Sequence, residues 1–244
     1  MNKLANIRIG IATGVIMFLG SSTASAGLIY QNNFDNPVNW VESRSYQDMS
    51  QQSVNALFGS TFAQTNTVET IKTHGGSYYS DPSGTGGDYA ISMLSHLQDD
   101  KLFLTFDPTS NNFVNVQLDL SNIGARYQNG GYQAGLNSST APTMQLSLYS
   151  GGSLLSSSQI TGSSTSDQSV FDWTNFIVAL DTTGNNGSVT LEFDLLSGNY
   201  AAFDNLTIYT ADVEGDVGQP VPAPAGLPLL AMGLASLIAA RRKV

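Results

Sequence analysis

Pairs of carboxylates are the groups in this chain whose spacing could support chemistry. Glu192 and Asp194 flank Phe193. On a strand, residues two apart share a face at roughly 7 Å, a separation that acid/base hydrolysis of a glycosidic bond can use. The alternative is a solvated strand face. Asp35 and Asp204, with Asn205, lie near opposite ends of the folded part. If the first and last strands are neighbours, these oxygens could converge on a structural Ca²⁺, which takes six to eight oxygen ligands. The alternative is that both acids cap turns. Asp212-Val213-Glu214-Gly215-Asp216 places acids at every second position. An EF-hand register would need Gly and Glu where Val217 and Ala223 stand, so the segment reads as a solvated acidic hinge.

Other chemistries lack their residues. His74 and His96 are the only histidines and there is no cysteine, so neither a zinc spacing nor a thiol nucleophile is present. No Gly-x-Ser-x-Gly elbow anchors a triad. The glycine-rich run Ser83 to Asp88 lacks the Lys of a phosphate loop and reads as a connector. No catalytic residue is assigned. Aromatic rings near loop-like segments could stack on sugars; Tyr78 and Tyr79, with Trp40, are the candidate ligand contacts.

The elements that would carry these groups are strands. Candidates are 28–34, 67–72, 88–94, 101–106, 113–120, 143–149, 153–160, 173–180, 188–196 and 202–209. Val114, Val116, Leu118 and Leu120 alternate with polar residues, as do Val189, Leu191, Phe193 and Leu195. That period of two predicts antiparallel sheets with one buried and one wet face. Only 47–58 suggests a helix. The expected fold is all-β, an antiparallel sandwich over 27–211, with an N-terminal signal helix and a C-terminal membrane helix.

Charge narrows the partners. Between Asp35 and Asp216 the chain carries all 19 acidic residues but only Arg44, Lys72, Lys101 and Arg126, a net −15 for the body. Such a surface repels nucleic acid and anionic lipid and tolerates cations.

Both ends read as targeting segments. Lys3 and Arg8 precede an apolar run over residues 9–20, followed by Ala24-Ser25-Ala26 before Gly27. This is the order of a secretory signal peptide, cleaved between Ala26 and Gly27 and served by the Sec translocon and signal peptidase. At the other end, an acidic and Pro-rich linker (212–225) leads into an apolar stretch (226–240) and the basic tail Arg241, Arg242 and Lys243. A 15-residue helix rises about 22 Å, short for a hydrocarbon core of about 30 Å unless the flanks contribute. The basic cluster favours the cytoplasmic side, which leaves the body outside.

Val221-Pro222-Ala223-Pro224-Ala225, the apolar helix and the Arg-rich end together resemble the PEP-CTERM sorting tail, closest to its VPLPA variant. The commonest form has Glu where Ala223 stands. The resemblance implies that an exosortase-type enzyme of a Gram-negative bacterium recognises Val221, Pro222, Pro224 and Ala225 and removes the tail beyond them. It also implies an exopolysaccharide or biofilm setting. The body, with Phe34-Asp35-Asn36-Pro37 and Trp40 at its start and Ala202 to Ile208 at its end, is similar in pattern to bacterial jelly-roll modules of the carbohydrate-binding kind. Glu192-Phe193-Asp194 resembles the Glu-x-Asp core of laminarinase-like glycosidases, but Leu195 to Gly198 stand where that family continues to a second Glu.

The function expected is a surface or matrix protein that binds polysaccharide without catalysis. A structural adhesion protein and a secreted glycosidase are the alternatives.

Overall fold

The computed structural model describes residues 26–43, 48–65, 68–95, 99–123, 140–164, 169–198 and 200–218. Ala24, the sorting residues Val221, Pro222, Pro224 and Ala225, and the basic tail lie outside them, as do the segments expected to form the signal helix and the C-terminal membrane helix. Among the described residues no helix is long and apolar enough to cross a membrane.

The elements run β1 (Gly27–Asn32), β2 (Met49–Ser50), α1 (Val54–Phe58), β3 (Ala63–Gln64), β4 (Glu69–Lys72), β5 (Tyr89–Leu94), β6 (Lys101–Phe106), β7 (Phe113–Asn122), β8 (Thr143–Ser150), β9 (Ser153–Thr161), β10 (Thr174–Asp181), β11 (Val189–Ser197) and β12 (Tyr200–Ala211). They form two antiparallel sheets, a β-sandwich. The larger runs β10-β7-β12-β5-β4-β2, with β1 also paired to β12. The smaller runs β3-β6-β11-β8-β9. First and last long strands are neighbours: Gln31 stands opposite Thr207 and Gly27 opposite Thr210.

Alternation explains the sandwich. Val114, Val116, Leu118 and Leu120 all point inward from β7 and meet Leu146, Leu148, Leu191 and Phe193 of the smaller sheet. The Phe193 and Phe203 rings stack at 5.7 Å, and Phe34 meets Phe203 edge-on. The helix expected over 47–58 shrinks to α1. Met49 and Ser50 pair with Ile71 and Thr70 instead. Ser53 caps the helix by accepting from the Ala56 N–H, and Gly59, at φ 63°, ends it.

The larger sheet is covered on its outer face too. Met49, Ile71, Tyr79, Phe171 and Tyr200 form a second apolar cluster there. Within this cover lies Glu69. Tyr200 Oη donates to Ser92 Oγ at 2.8 Å and stands 3.4 Å from Glu69 Oε2. Burial pushes the Glu69 carboxyl up to about 7; Gln51 opposes this, the charge of Asp100 adds to it, and the Tyr200 hydroxyl opposes it. A raised carboxyl contributes stability that is complete below about pH 4.5 and lost as pH rises through about 7. Glu69→Gln is therefore expected to stabilise the protein by about 3 kcal/mol at pH 8 and by almost nothing at pH 4. Urea unfolding at the two pH values checks this.

Candidate functional site

A pocket of about 620 Å³ opens on the outer face of the larger sheet, lined by Gln31, Asn32, Asn33, Gln117, Asn205, Thr207, Tyr209 and Val217. Strand register builds it. Gln31 of β1, Thr207 of β12 and Gln117 of β7 form one polar row across three strands. Tyr209 lies two residues along β12, opposite Asn115. At the other end of the row, β12 shifts register against β7 between Asp204 and Thr207. Asn205 takes the extra position of this bulge at φ 51°. Its Nδ2 donates to Asp119 Oδ2 and to the Thr85 carbonyl, each at 2.8 Å. The lining is thus amides, a hydroxyl, one phenol ring and one Val. The volume falls in the range of about 300–1,000 Å³ common for small-ligand sites.

Carboxylates crowd the bulge end. Asp204 is fully buried, and its Oδ1 accepts from the Asn205 N–H. Its Oδ2 is buried with no hydrogen-bond partner. Burial, opposed by that N–H and reinforced by the charges of Asp35, Asp119 and Asp81, pushes the Asp204 carboxyl up to about 9. Asp35 accepts from the Asp88 N–H at 2.7 Å and from Asn33 Nδ2. Asp119 accepts from Asn175 Nδ2 as well as Asn205. Asp81 organises the covering loop, accepting from Ser83, the Gly86 N–H and Trp173 Nε1. Burial raises the Asp81 carboxyl, but these bonds outweigh it and hold the group below its usual value. Gly87, at φ 52°, must be glycine, since a Cβ there would collide with the Asp35 carboxylate.

The structure therefore brings Asp35, Asp204 and Asn205 to one place, as the sequence suggested. Among the described residues, however, no group of three His, Cys, Asp or Glu side chains is placed to hold a metal. Asp35 and Asp119 spend oxygens on amide donors, and the orphan Asp204 Oδ2 asks for a cation or a proton.

No protein-family model matches the chain, and no curated protein does. Solved structures match at low identity. An apo cyclase from Fischerella sp. shares 15% identity over 78% of this chain and 98% of its own, with a TM-score of 0.50. That likeness shows the sandwich fold alone. A Stig cyclase, Fisc from Fischerella sp. TAU, also at 15% identity, covers 76% of this chain and 98% of its own at 0.48. TmCBM61, solved with β-1,4-galactotriose, shares 14% over 69% and 99% at 0.40. These last two are too distant to carry an inference.

The other expected residues are dispersed. Trp40 packs on Tyr89 at 4.7 Å, with Lys72 Nζ 5.8 Å over its ring, which ties it into the sheet edge. Tyr79 is only 4% exposed and packs against Phe171, so its ring is a core ring and not a rim contact. Tyr78 is half-buried, and its N–H donates to Asp48. Gly27 opens β1 and Ala26 precedes it. Glu192 and Asp194 are largely covered, unlike a solvated face. Lys101 Nζ lies 2.9 Å from Asp194 and 3.9 Å from Glu192, and Tyr149 Oη reaches Glu192 at 3.4 Å. The ion pair with Asp194, opposed by burial and helped by the nearby negative charges, raises the Lys101 pKa. Both carboxylates are thus engaged with a cation.

Of the residues lining the pocket, sequence reading singled out Asn205 alone. Gln117 and Asp119 were visible only as polar positions alternating with the core residues of β7.

Proposed function

We propose that the chain is an exported, non-catalytic surface protein that binds a neutral glycan in the pocket of the larger sheet. The observation that carries this is the pocket itself. Its amides and hydroxyl can exchange hydrogen bonds with sugar hydroxyls, and Tyr209 offers a ring to a sugar face. The adjoining charges of Asp35 and Asp119 disfavour an anionic sugar. Export through the Sec translocon, cleavage by signal peptidase, transient anchoring by the C-terminal helix and recognition by an exosortase-type enzyme complete the reading; the body then belongs to the cell surface or an exopolysaccharide matrix, with no nucleic-acid partner. Jelly-roll-like wiring is the finer description of its sandwich. A structural Ca²⁺ is part of the proposal. Asp204 Oδ2 and Asp35 would hold it, supplying charge neutralisation where the bulge is most crowded.

The test is calorimetric titration with neutral β-linked trisaccharides of glucose and galactose, followed by product analysis after long incubation. Binding without cleavage is the result expected. Turnover of any of them, or silence from all, would overturn the reading. Tyr209→Ala should weaken binding by about thirtyfold, about 2 kcal/mol, with the melting temperature nearly unchanged.

A further inference from the structure

We infer that residues 212–218 form a strap that makes one wall of the pocket, that Asn115 latches it, and that ligand binding and strap closure reinforce each other. The inference rests on the reading that the pocket binds a glycan.

Asn115 sits on the outer face of β7, where a polar side chain would ordinarily meet water, yet it is fully buried. The strap covers it. Asn115 Nδ2 donates to the Val213 carbonyl at 3.0 Å and to the Asp216 carbonyl at 2.8 Å. Its Oδ1 accepts from the Gly215 N–H at 2.9 Å. One amide thus uses both its donors and an acceptor on a segment a hundred residues away. The strap closes on itself as well. The Asp216 N–H donates to the Val213 carbonyl, and the Gly218 N–H donates to Asp216 Oδ1. Gly215 and Gly218, at φ 74° and 70°, permit that turn. The acidic side chains of Asp212 and Glu214 stay outside.

The fold of the strap turns Val217 inward to 5% exposure, as the apolar wall of the pocket. Gly218 then lies against the Tyr209 ring, where a Cβ would come within 2.6 Å of Cε1. Since Asn115 stands opposite Tyr209 in the ladder, the latch and the ring it supports are one unit. A ligand touching Val217 and Tyr209 meets a complete wall only while the strap is down. By linkage, whatever factor the closed strap adds to ligand affinity, the ligand adds to strap closure. Asn115 is therefore a positioning residue, acting through Val217 and Tyr209. The strap also ends three residues before Val221, so a bound ligand fixes the point from which the proposed sorting segment departs.

Two variants open the strap from different ends. Asn115→Ala removes the latch. Gly218→Ala strains the positive φ and pushes on Tyr209 without touching the sheet interior, which keeps the test valid should the first variant fold poorly. Hydrogen exchange at the Gly215 and Gly218 amides of the full chain reports closure, and calorimetry with the neutral trisaccharides reports affinity. In wild type, trisaccharide should slow exchange at both amides at least fivefold. Each variant should speed that exchange and weaken binding at least tenfold. Faster exchange with unchanged affinity would overturn the inference while leaving the pocket reading intact. Exchange unmoved by Asn115→Ala would remove the latch. Wild-type protein that binds no trisaccharide would sink the pocket reading first, and this inference with it.

Discussion

Asp204→Asn is expected to stabilise the cation-free protein at pH 7 by about 4 kcal/mol. The carboxyl is held at about 9 against an ordinary value of 3.8 by burial and by the charges of Asp35, Asp119 and Asp81. For a raised carboxyl, the neutral form is the one the fold favours. Its stabilising contribution is complete below about pH 4 and lost as pH rises through about 9. At pH 7 the unfolded chain is ionised while the folded chain holds a proton, and folding bears that difference. Asn takes the place of the neutral acid at every pH. It keeps an oxygen for the Asn205 N–H and carries no charge among Asp35, Asp119 and Asp81. The pH slope between 5 and 9 should flatten accordingly. In saturating Ca²⁺ the order reverses if the proposed site exists, because the cation supplies what the proton supplied. Thermal melts of both proteins at pH 5, 7 and 9, in chelator and in Ca²⁺, separate the cases. Loss of stability for Asp204→Asn in chelator at pH 7 would contradict the account of Asp204. Identical wild-type melts in chelator and Ca²⁺ would remove calcium and leave the protonated acid.

A loss of similar size should accompany Phe203→Ala, one residue earlier. Phe203 is fully buried and stacked within 6° of parallel on Phe193 from the opposite sheet, with Phe34 at its edge. Truncation removes both ring contacts and leaves a void between sheets that the flanking strands, paired on both sides, cannot close. The expected cost is about 3–5 kcal/mol, seen as a lower urea midpoint with an unchanged slope. A cost below about 1 kcal/mol would mean that the two sheets are not joined through this stack.

Alternation made much of this fold legible. The run 101–106 reads as a strand and is one, and the inward faces of β7, β8 and β11 come directly from period two. The adjacency of β1 and β12, and with it the meeting of Asp35 and Asp204, was also open to sequence reasoning. The covers were not. Asn115 and Asp119 occupy positions that would be wet in a bare sheet, and nothing local says that a strap or a loop lies over them. The glycine-rich run 83–88 looks like a connector, yet Gly86 and Gly87 are small because Trp173 and Asp35 press against them. The acidic segment 212–216 looks like a solvated hinge because its charges do face water; its backbone is what binds Asn115. Tyr79 and Trp40 misled for the opposite reason, since loop-like flanks hid rings that pack inward or against the sheet edge. In each case the deciding contact joins residues far apart in sequence, and a period measures only near neighbours.

The most direct measurement is to track the side-chain amide signals of Gln31, Gln117 and Asn205 by NMR while a neutral β-linked trisaccharide is added. Shifts centred on these amides, on the backbone of Thr207 and Tyr209 and on the strap residues Val217 and Gly218, saturating with one ligand per chain, are the result expected of a sugar seated on that row. Shifts centred instead on the face bearing Glu192 and Asp194, or none at all, would contradict it.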